Sequence, residues 1–235
     1  MSRRPSFAAF EARESAADHV AALFEGGLRT QLQVFGHAGI LVSGGSTPGP
    51  VFDRLSNADL PWDDKVCVGL VDERWVDEDD GRSNTRLVKQ SLLQRHATAA
   101  EFIAMKTTAP TPDAAVLEVS EAYERFDDLG PLILLGMGSD GHTASWFPGS
   151  KGLDAAMDPN GPNRVEAIDA TGAPIAGDMP LRMTITAGLL NAASMAILFI
   201  TGEEKRAVLE NRSANLPVHH AERLLGDRLV EVWAP

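Results

Sequence analysis

The chain has 235 residues, with 21 Lys and Arg against 33 Asp and Glu, which gives a formal charge of −12. Its 44% hydrophobic and 23% charged residues are typical of a globular protein and disfavour intrinsic disorder. The acidic balance disfavours nucleic acid and anionic membrane surfaces as partners, because both bind basic protein faces. The length, with no internal repeat or long linker, predicts a single domain over residues 1–235.

The sequence also indicates the compartment. The single cysteine, Cys67, excludes an internal disulfide, and its place in the apolar run Val66–Val71 predicts a buried side chain and no nucleophile. Polar and charged residues follow Met1–Pro5, where a signal peptide would have its apolar core. No apolar stretch approaches the roughly 18 residues of a membrane span. We therefore expect a cytoplasmic protein with no membrane segment.

In the first half of the chain, helical spacing of apolar residues alternates with short apolar runs that are typical of buried parallel strands. In chain order, the pattern predicts a helix over Phe10–Leu32, a strand over Gly39–Val42, a helix capped by Ser46-Thr47-Pro48 and ending near Leu55, a strand over Lys65–Val71, a helix over Ser83–Leu93, a strand over Glu101–Met105 and a helix from Thr111 to Phe126.

The second half continues the alternation. It predicts a strand over Pro131–Leu135, a helix that opens at Thr143 or Ser145, strands over Arg164–Ile168 and Met195–Ile200, helices near Ala187–Ala193 and over Glu203–Asn211, and a final strand over Arg228–Trp233. The segment Asp154–Asp178 is rich in turn-forming residues and is expected to hold loops and a short edge hairpin. The whole pattern predicts a Rossmann-like α/β fold, with a mainly parallel sheet flanked by helices.

Ligands of open α/β sheets bind beyond the carboxyl ends of the strands, so the strand-to-helix turns are the first places to search. The first turn with unusual composition is Ser43–Pro48. Its glycines allow backbone N–H groups to approach a ligand, and a helix N-terminus follows, which together favour phosphate. The residues that would hold the phosphate are Gly44, Gly45, Ser46 and Thr47. A tight turn with a serine cap is the alternative.

The second turn is Asp72-Glu73-Arg74, directly after a buried strand. The Arg74 guanidinium at this edge is suited to bidentate binding of an oxyanion. A structural ion pair at the strand end is the alternative.

The third turn, Gly136–Thr143, holds a histidine in a glycine-rich segment at the same edge. His142 is suited to proton transfer near neutral pH, and Asp140 would orient it or share its proton. Arg182 and Lys205 lie near other strand–helix junctions, where each is either a ligand-binding cation or an ordinary surface charge. No set of His, Asp and Glu has metal-ligand spacing, and no Gly-x-Ser-x-Gly element of a serine hydrolase is present.

Taken together, these motifs resemble the 6-phosphogluconolactonase family, the hydrolases of the oxidative pentose phosphate pathway. The resemblance runs from about residue 7 to the C-terminus, and its most specific part is Asp-Gly-His-Thr-Ala-Ser. The matching segments are Ser43–Pro48, Val71–Arg74, Ser83-Asn84, Leu135–Pro148, Arg182–Thr184, Gly202–Lys205 and Val232–Pro235. Trp146 departs from the family, which more often has leucine there; the change concerns packing beside the site.

The resemblance implies a fold related to glucosamine-6-phosphate deaminase and ribose-5-phosphate isomerase. It also implies hydrolysis of 6-phospho-D-glucono-1,5-lactone without a metal or cofactor, by a monomer or weak dimer. His142 would deprotonate the attacking water, Asp140 would orient it, and Arg74 would stabilise the oxyanion or hold a hydroxyl. Asp72 belongs to the same implied catalytic set. The phosphate would bind to Gly44, Gly45, Ser46 and Thr47 with Arg182 and Lys205.

Two other functions are open to a chain of this kind. A sugar-phosphate isomerase or deaminase of the same fold typically has an Asn-Glu-Pro element after Asp-Gly-His and a tyrosine in place of Arg74. Here the corresponding stretch, Ser145–Pro148, holds no acid. A sugar-phosphate sensor would need a DNA-binding module, whereas the residues before Ser43 predict one long helix and no basic helix-turn-helix.

Overall fold

The structure of the protein is a computed structural model that describes residues 4–63 and 65–235. The first three residues of Met1–Pro5, from which no signal peptide is expected, lie outside this range. The strands are β1 (Ser6–Ala9), β2 (Ala38–Val42), β3 (Val66–Leu70), β4 (Asp72–Arg74), β5 (Glu101–Ile103), β6 (Leu132–Leu135), β7 (Val165–Asp169), β8 (Leu181–Ile185), β9 (Met195–Thr201) and β10 (Leu229–Ala234). The α-helices are α1 (Arg13–Phe35), α2 (Gly49–Ser56), α3 (Asn84–Ser91), α4 (Pro112–Tyr123), α5 (Arg125–Leu129), α6 (Leu153–Met157), α7 (Ala187–Asn191), α8 (Glu203–Glu210) and α9 (Pro217–Leu225).

Seven strands form one parallel sheet in the order β1-β10-β9-β6-β2-β3-β5. The runs of β2, β3 and β6 are buried at every residue, as expected of interior strands covered on both faces. The mainly parallel α/β fold is therefore confirmed. The order places the carboxyl ends of β9, β6, β2 and β3 side by side, so the loops that follow these four strands meet at one edge.

A second sheet, with the antiparallel order β4-β8-β7, lies at this edge and was not predicted as a sheet. The residues Asp72-Glu73-Arg74, expected to be a turn, form β4. Arg182 lies in β8 and not merely before a helix, and it is the cross-strand neighbour of Arg74. Within the loop-rich segment expected over Asp154–Asp178, β7 pairs with β8, which lies just beyond that segment.

Two predictions about helix starts are wrong. No helix opens at Thr143 or Ser145: residues 143–150 form turns, with Ala144 at φ 49° and Gly149 at φ 77°. These left-handed conformations interrupt a right-handed helix. Ser46 and Thr47 do not cap α2 either, because the helix begins later, at Gly49, with Pro48 as an N-cap residue that makes no side-chain hydrogen bond.

Other elements agree with the sequence or extend it. Ser83 caps α3 by accepting a hydrogen bond from the N–H of Arg86. Cys67 is buried as expected, and burial raises the pKa of its thiol to about 12. The predicted helix from Thr111 to Phe126 is divided into α4 and α5 at Glu124, and β1 and α9 were not predicted. Within residues 4–63 and 65–235, no helix combines the length and the apolar character needed to cross a membrane.

Replacement by alanine is expected to affect the free energy of unfolding differently at two adjacent glycines of α1. Gly26 is exposed, and a Cβ there meets no atom within 4 Å, whereas a Cβ at Gly27 would lie 2.8 Å from Cδ1 of Leu132. Glycine in a helix interior is less stable than alanine, so Gly26→Ala should raise the free energy of unfolding by about 0.5–1 kcal/mol. Gly27→Ala should not stabilise. Urea unfolding measures both, and equal stabilisation by the two variants would contradict the packing of α1 on β6.

Two carboxyl groups are buried together between β10 and α9. Glu231 and Glu222 are 3% and 5% exposed, and Nη2 of Arg212 lies 2.8 Å from Oε1 of Glu222 and 3.4 Å from Oε1 of Glu231. Burial, together with the neighbouring Glu222 carboxyl, raises the pKa of Glu231. A carboxyl with a raised pKa binds more protons in the folded state than in the unfolded state. The free energy of unfolding therefore falls as the pH rises above the ordinary glutamate pKa of about 4.3.

This pH dependence is expected to weaken when Glu231 is replaced by glutamine, which carries no titrating proton. Urea unfolding of the wild type should show a decline in stability between about pH 5 and about pH 8, and Glu231→Gln should show a smaller decline. Glu210→Gln, at an exposed glutamate of α8, is the matched control and should follow the wild type. An undiminished decline in Glu231→Gln would contradict the assignment.

Candidate active site

The loops after β9, β6, β2 and β3 surround a cavity of about 370 Å³. Of the residues that the sequence singles out, Asp140 alone does not line this cavity, and it contacts His142, which does. The others all line it, namely Gly44, Gly45, Ser46, Thr47, Asp72, Arg74, His142, Arg182 and Lys205. The structure therefore brings together candidates that lie as far apart in sequence as residues 44 and 205.

His142 and Asp140 form a hydrogen-bonded pair at the end of β6. Nδ1 of His142 lies 2.5 Å from Oδ1 of Asp140, and the backbone N–H of His142 donates to the same oxygen at 3.2 Å. Partial burial opposes ionisation of Asp140, but the hydrogen bond and charge of His142 outweigh it and lower the pKa of the carboxyl. A carboxylate at Nδ1 holds the proton on that nitrogen, so Nε2 carries the free lone pair of the neutral ring. With the ring neutral, Nε2 can therefore accept a proton.

The backbone of the turn fits tightly around this pair. The N–H of Gly138 donates to the carbonyl of His142, and the N–H of Gly141 donates to the carbonyl of Gly138, both at 3.0 Å. A Cβ at Gly138 would lie 2.2 Å from Cε1 of His142 and 2.7 Å from Oδ1 of Asp140. The ring of Phe147 packs on the imidazole with 4.3 Å between centroids. Glycine at 138 is therefore required by the close approach of the two side chains.

The loop Ser43–Pro48 is fastened to the histidine turn. Oγ of Ser43 donates to the carbonyl of Leu134 at 2.9 Å and accepts from the N–H of Gly136 at 3.2 Å. Gly45 has φ 95°, a conformation that favours glycine. These contacts fix the loop beside β6, with α2 starting directly after it.

Three cationic side chains line the cavity from different elements. Arg182 is 5% exposed, and its Nε and Nη2 donate to the carbonyls of Met179 and Ala176 at 2.7 and 3.1 Å. Burial lowers the pKa of Arg182, and burial also lowers the pKa of Lys205. Nη1 of Arg74 donates to the carbonyl of Arg82 at 2.6 Å.

These cations have donor groups left over. Among the described residues, nothing accepts a hydrogen bond from Nζ of Lys205 or from the buried Nε of Arg74. The cavity therefore combines positive charge with free donors inside a protein whose net charge is −12. An anionic ligand matches this arrangement.

Asp72 is 8% exposed and is held by two residues for which the sequence alone indicates no role. Oγ of Ser145 donates to Oδ2 of Asp72 at 2.6 Å, and Nδ2 of Asn84 lies 3.3 Å from Oδ1. Both residues belong to motifs quoted above, but only the three-dimensional arrangement shows that their side chains meet Asp72. Trp146 is buried and donates its Nε1–H to the carbonyl of Ile185 at 2.9 Å.

The described residues contain no group of three or more His, Cys, Asp or Glu side chains placed to hold a metal ion. The donors and acceptors that line the cavity are those of a site for an anionic, hydroxyl-bearing molecule: guanidinium and ammonium groups, hydroxyls, backbone amides, one side-chain amide, one imidazole and one carboxylate.

The chain is similar to known proteins over most of its length. A family model described as glucosamine-6-phosphate isomerases/6-phosphogluconolactonase matches residues 11–227. A 6-phosphogluconolactonase of Rhizobium meliloti (strain 1021) is 38% identical over 227 residues, which are 94% of each chain. Another, of Xylella fastidiosa (strain Temecula1 / ATCC 700964), is 39% identical over 205 residues, covering 84% of this chain and 83% of the relative.

Solved structures give the same picture. A 6-phosphogluconolactonase from Shewanella baltica OS155 superimposes with a TM-score of 0.87 at 31% identity and covers 100% of both chains. A monomeric glucosamine-6-phosphate deaminase of the NagB superfamily, at 15% identity and a TM-score of 0.76, shares the fold. The chain therefore belongs to the glucosamine-6-phosphate isomerase/6-phosphogluconolactonase family.

Proposed function

We propose that the chain hydrolyses 6-phospho-D-glucono-1,5-lactone to 6-phospho-D-gluconate. The relatives named above support the lactonase branch of the family. The observation that carries the proposal is the hydrogen-bonded pair His142–Asp140. His142 lines a cavity that three cationic side chains also line, and its Nε2 is free of Asp140.

His142 is the general base in this proposal. Nε2 takes a proton from a water molecule as the water oxygen attacks C1 of the lactone, which gives a tetrahedral oxyanion and an imidazolium ring. Asp140 stabilises the imidazolium through the 2.5 Å contact with Nδ1. When the intermediate collapses, the bond between C1 and the ring oxygen breaks, and the proton on Nε2 passes to that oxygen. Base and acid are then the same group, and His142 returns to its neutral form.

Arg74 and Asp72 act on the sugar end of the substrate. The Arg74 guanidinium stabilises the oxyanion that develops at C1 or holds a neighbouring hydroxyl, and its unpartnered Nε supplies a donor. The Asp72 carboxylate accepts a hydrogen bond from a sugar hydroxyl. No metal or cofactor enters the reaction.

The phosphate binds at the loop Ser43–Pro48 in this proposal. The loop residues Gly44, Gly45, Ser46 and Thr47 surround it with backbone N–H groups and hydroxyls. Lys205 and Arg182 supply positive charge, and burial of both cations strengthens their attraction for a dianion. The acidic protein thus attracts an acidic substrate through local charges.

Two parallel assays test the function against the rival within the family. Purified protein is given either freshly generated lactone or glucosamine 6-phosphate, and acid formation and ammonia release are followed. We expect accelerated acid formation and no ammonia, because Ser145–Pro148 lacks the acid of the deaminases. Ammonia release without lactone hydrolysis would replace the proposal with the deaminase.

A further inference from the structure

Asn84 lies between Asp72 and the loop Ser43–Pro48, the phosphate loop of the proposed function. It is 2% exposed and lines the cavity. Nδ2 donates to the backbone carbonyl of Asp72 at 2.8 Å and lies 3.3 Å from Oδ1 of the same residue. Both of these Asp72 atoms are acceptors, so the Asn84 amide has one favourable orientation, with its own Oδ1 turned away from Asp72.

The other side of the amide lies against Gly44. A Cβ built on Gly44 would lie 1.9 Å from Oδ1, 2.3 Å from Cγ and 2.9 Å from Nδ2 of Asn84. No side chain larger than hydrogen fits at 44 while Asn84 keeps its position. The loop backbone and the amide therefore determine each other's place.

The backbone of Asn84 is fixed as firmly as its side chain. Glu73, which is fully buried, accepts from the N–H groups of Asn84 and Thr85 at 2.8 and 2.7 Å and from that of Arg74 at 2.8 Å. Burial raises the pKa of the Glu73 carboxyl, and these N–H donors act in the opposite direction. One carboxylate thus ties the start of α3 to β4, so Asn84 has little freedom to move away from Asp72 or Gly44.

We propose that Asn84 is a positioning residue that couples the orientation of Asp72 to the shape of the phosphate loop at Gly44. Ser145 extends the connection to the histidine turn through its 2.6 Å hydrogen bond to Asp72. A continuous set of contacts therefore joins the turn that carries the base to the loop that holds the phosphate. The coupling to catalysis rests on the proposed function, whereas the coupling to phosphate binding does not require turnover.

A double-mutant cycle of Gly44→Ala and Asn84→Ala tests the coupling, because Asn84→Ala removes all three atoms that a Cβ at 44 would meet. In the wild-type background, we expect Gly44→Ala to weaken the binding of inorganic phosphate about tenfold, to raise KM for the lactone and also to lower kcat. The effect on kcat arises because the displaced amide releases Asp72. In the Asn84→Ala background, the same change should alter each quantity less than about threefold.

The control for this cycle is Gly49→Ala, since a Cβ at Gly49 meets no atom within 4 Å. Its fold-change should be the same in both backgrounds. Equal fold-changes for Gly44→Ala in both backgrounds would overturn the coupling. A wild type without lactonase activity would instead refute the proposed function, and calorimetric binding of phosphate would still decide the cycle.

Asn84→Asp tests the contact with Asp72 without a change in size and leaves the sequence of the loop unchanged. It places a carboxylate oxygen against the acceptors of Asp72, so we expect kcat to fall about tenfold and its pH profile to shift. A kcat and pH profile equal to those of the wild type would overturn the role of Asn84, even if Gly44→Ala does not fold.

Discussion

Replacing His142 with alanine is expected to lower the rate of lactone hydrolysis by about 10²–10⁴-fold, the usual contribution of a placed acid–base group. The variant loses the nitrogen that, in the proposed mechanism, takes the proton of water and returns it to the ring oxygen. It keeps the loop Ser43–Pro48 and the cations, which hold the phosphate in the proposal, so KM should change much less than kcat. The measurement is the loss of freshly generated lactone, with spontaneous hydrolysis subtracted, together with the urea unfolding midpoint.

His96→Ala is the matched control, because His96 is exposed and does not line the cavity. It should retain the wild-type rate. If His142→Ala folds and hydrolyses the lactone as fast as the wild type, His142 is not the base and the mechanism proposed for the site is wrong.

Gly138→Ala is expected to have the second-largest effect, although the substitution adds one methyl group and removes none of the catalytic atoms. The methyl would lie 2.2 Å from Cε1 and 2.3 Å from Nδ1 of His142, so the imidazole must rotate away from Asp140. Displacement of a catalytic group by about 1 Å can cost about 10²-fold in rate, and we expect a fall in kcat of that size. Steady-state kinetics with the lactone measure it.

The stability of Gly138→Ala should change little, because the atoms that must move are the ends of two partly exposed side chains. Gly81→Ala, where a Cβ meets no atom within 4 Å, is the control and should keep both activity and stability. Full activity in Gly138→Ala would show that the close fit around the pair is not needed for catalysis.

The sequence predicted the interior of the fold well because burial leaves a local signal. Runs such as Gly39–Val42 and Pro131–Leu135 are apolar at every position, and β2 and β6 occupy them nearly residue for residue. β4 and β8 have no such signal: Asp72-Glu73-Arg74 is charged throughout. This segment forms a strand because it pairs with β8, which lies more than 100 residues away in the sequence. Local composition does not indicate that pairing.

The candidate site, like the fold, could be predicted only in part. Glycine and polar residues at strand ends pointed to His142 and to the loop at Gly44, since parallel strands place their carboxyl ends at one edge. The contacts that hold these groups in place could not be predicted from the sequence. The clearest example is Asn84, whose importance depends on Asp72 on one side and Gly44 on the other. The helix expected at Thr143 or Ser145 does not form, because the backbone of Ala144 is left-handed.

The most direct test of the account is the rate at which purified wild-type protein consumes freshly generated 6-phospho-D-glucono-1,5-lactone, measured over a series of protein concentrations and compared with the spontaneous rate. We predict that the excess rate rises in proportion to protein concentration and saturates with lactone. A rate equal to the spontaneous hydrolysis at every protein concentration would contradict the proposed function.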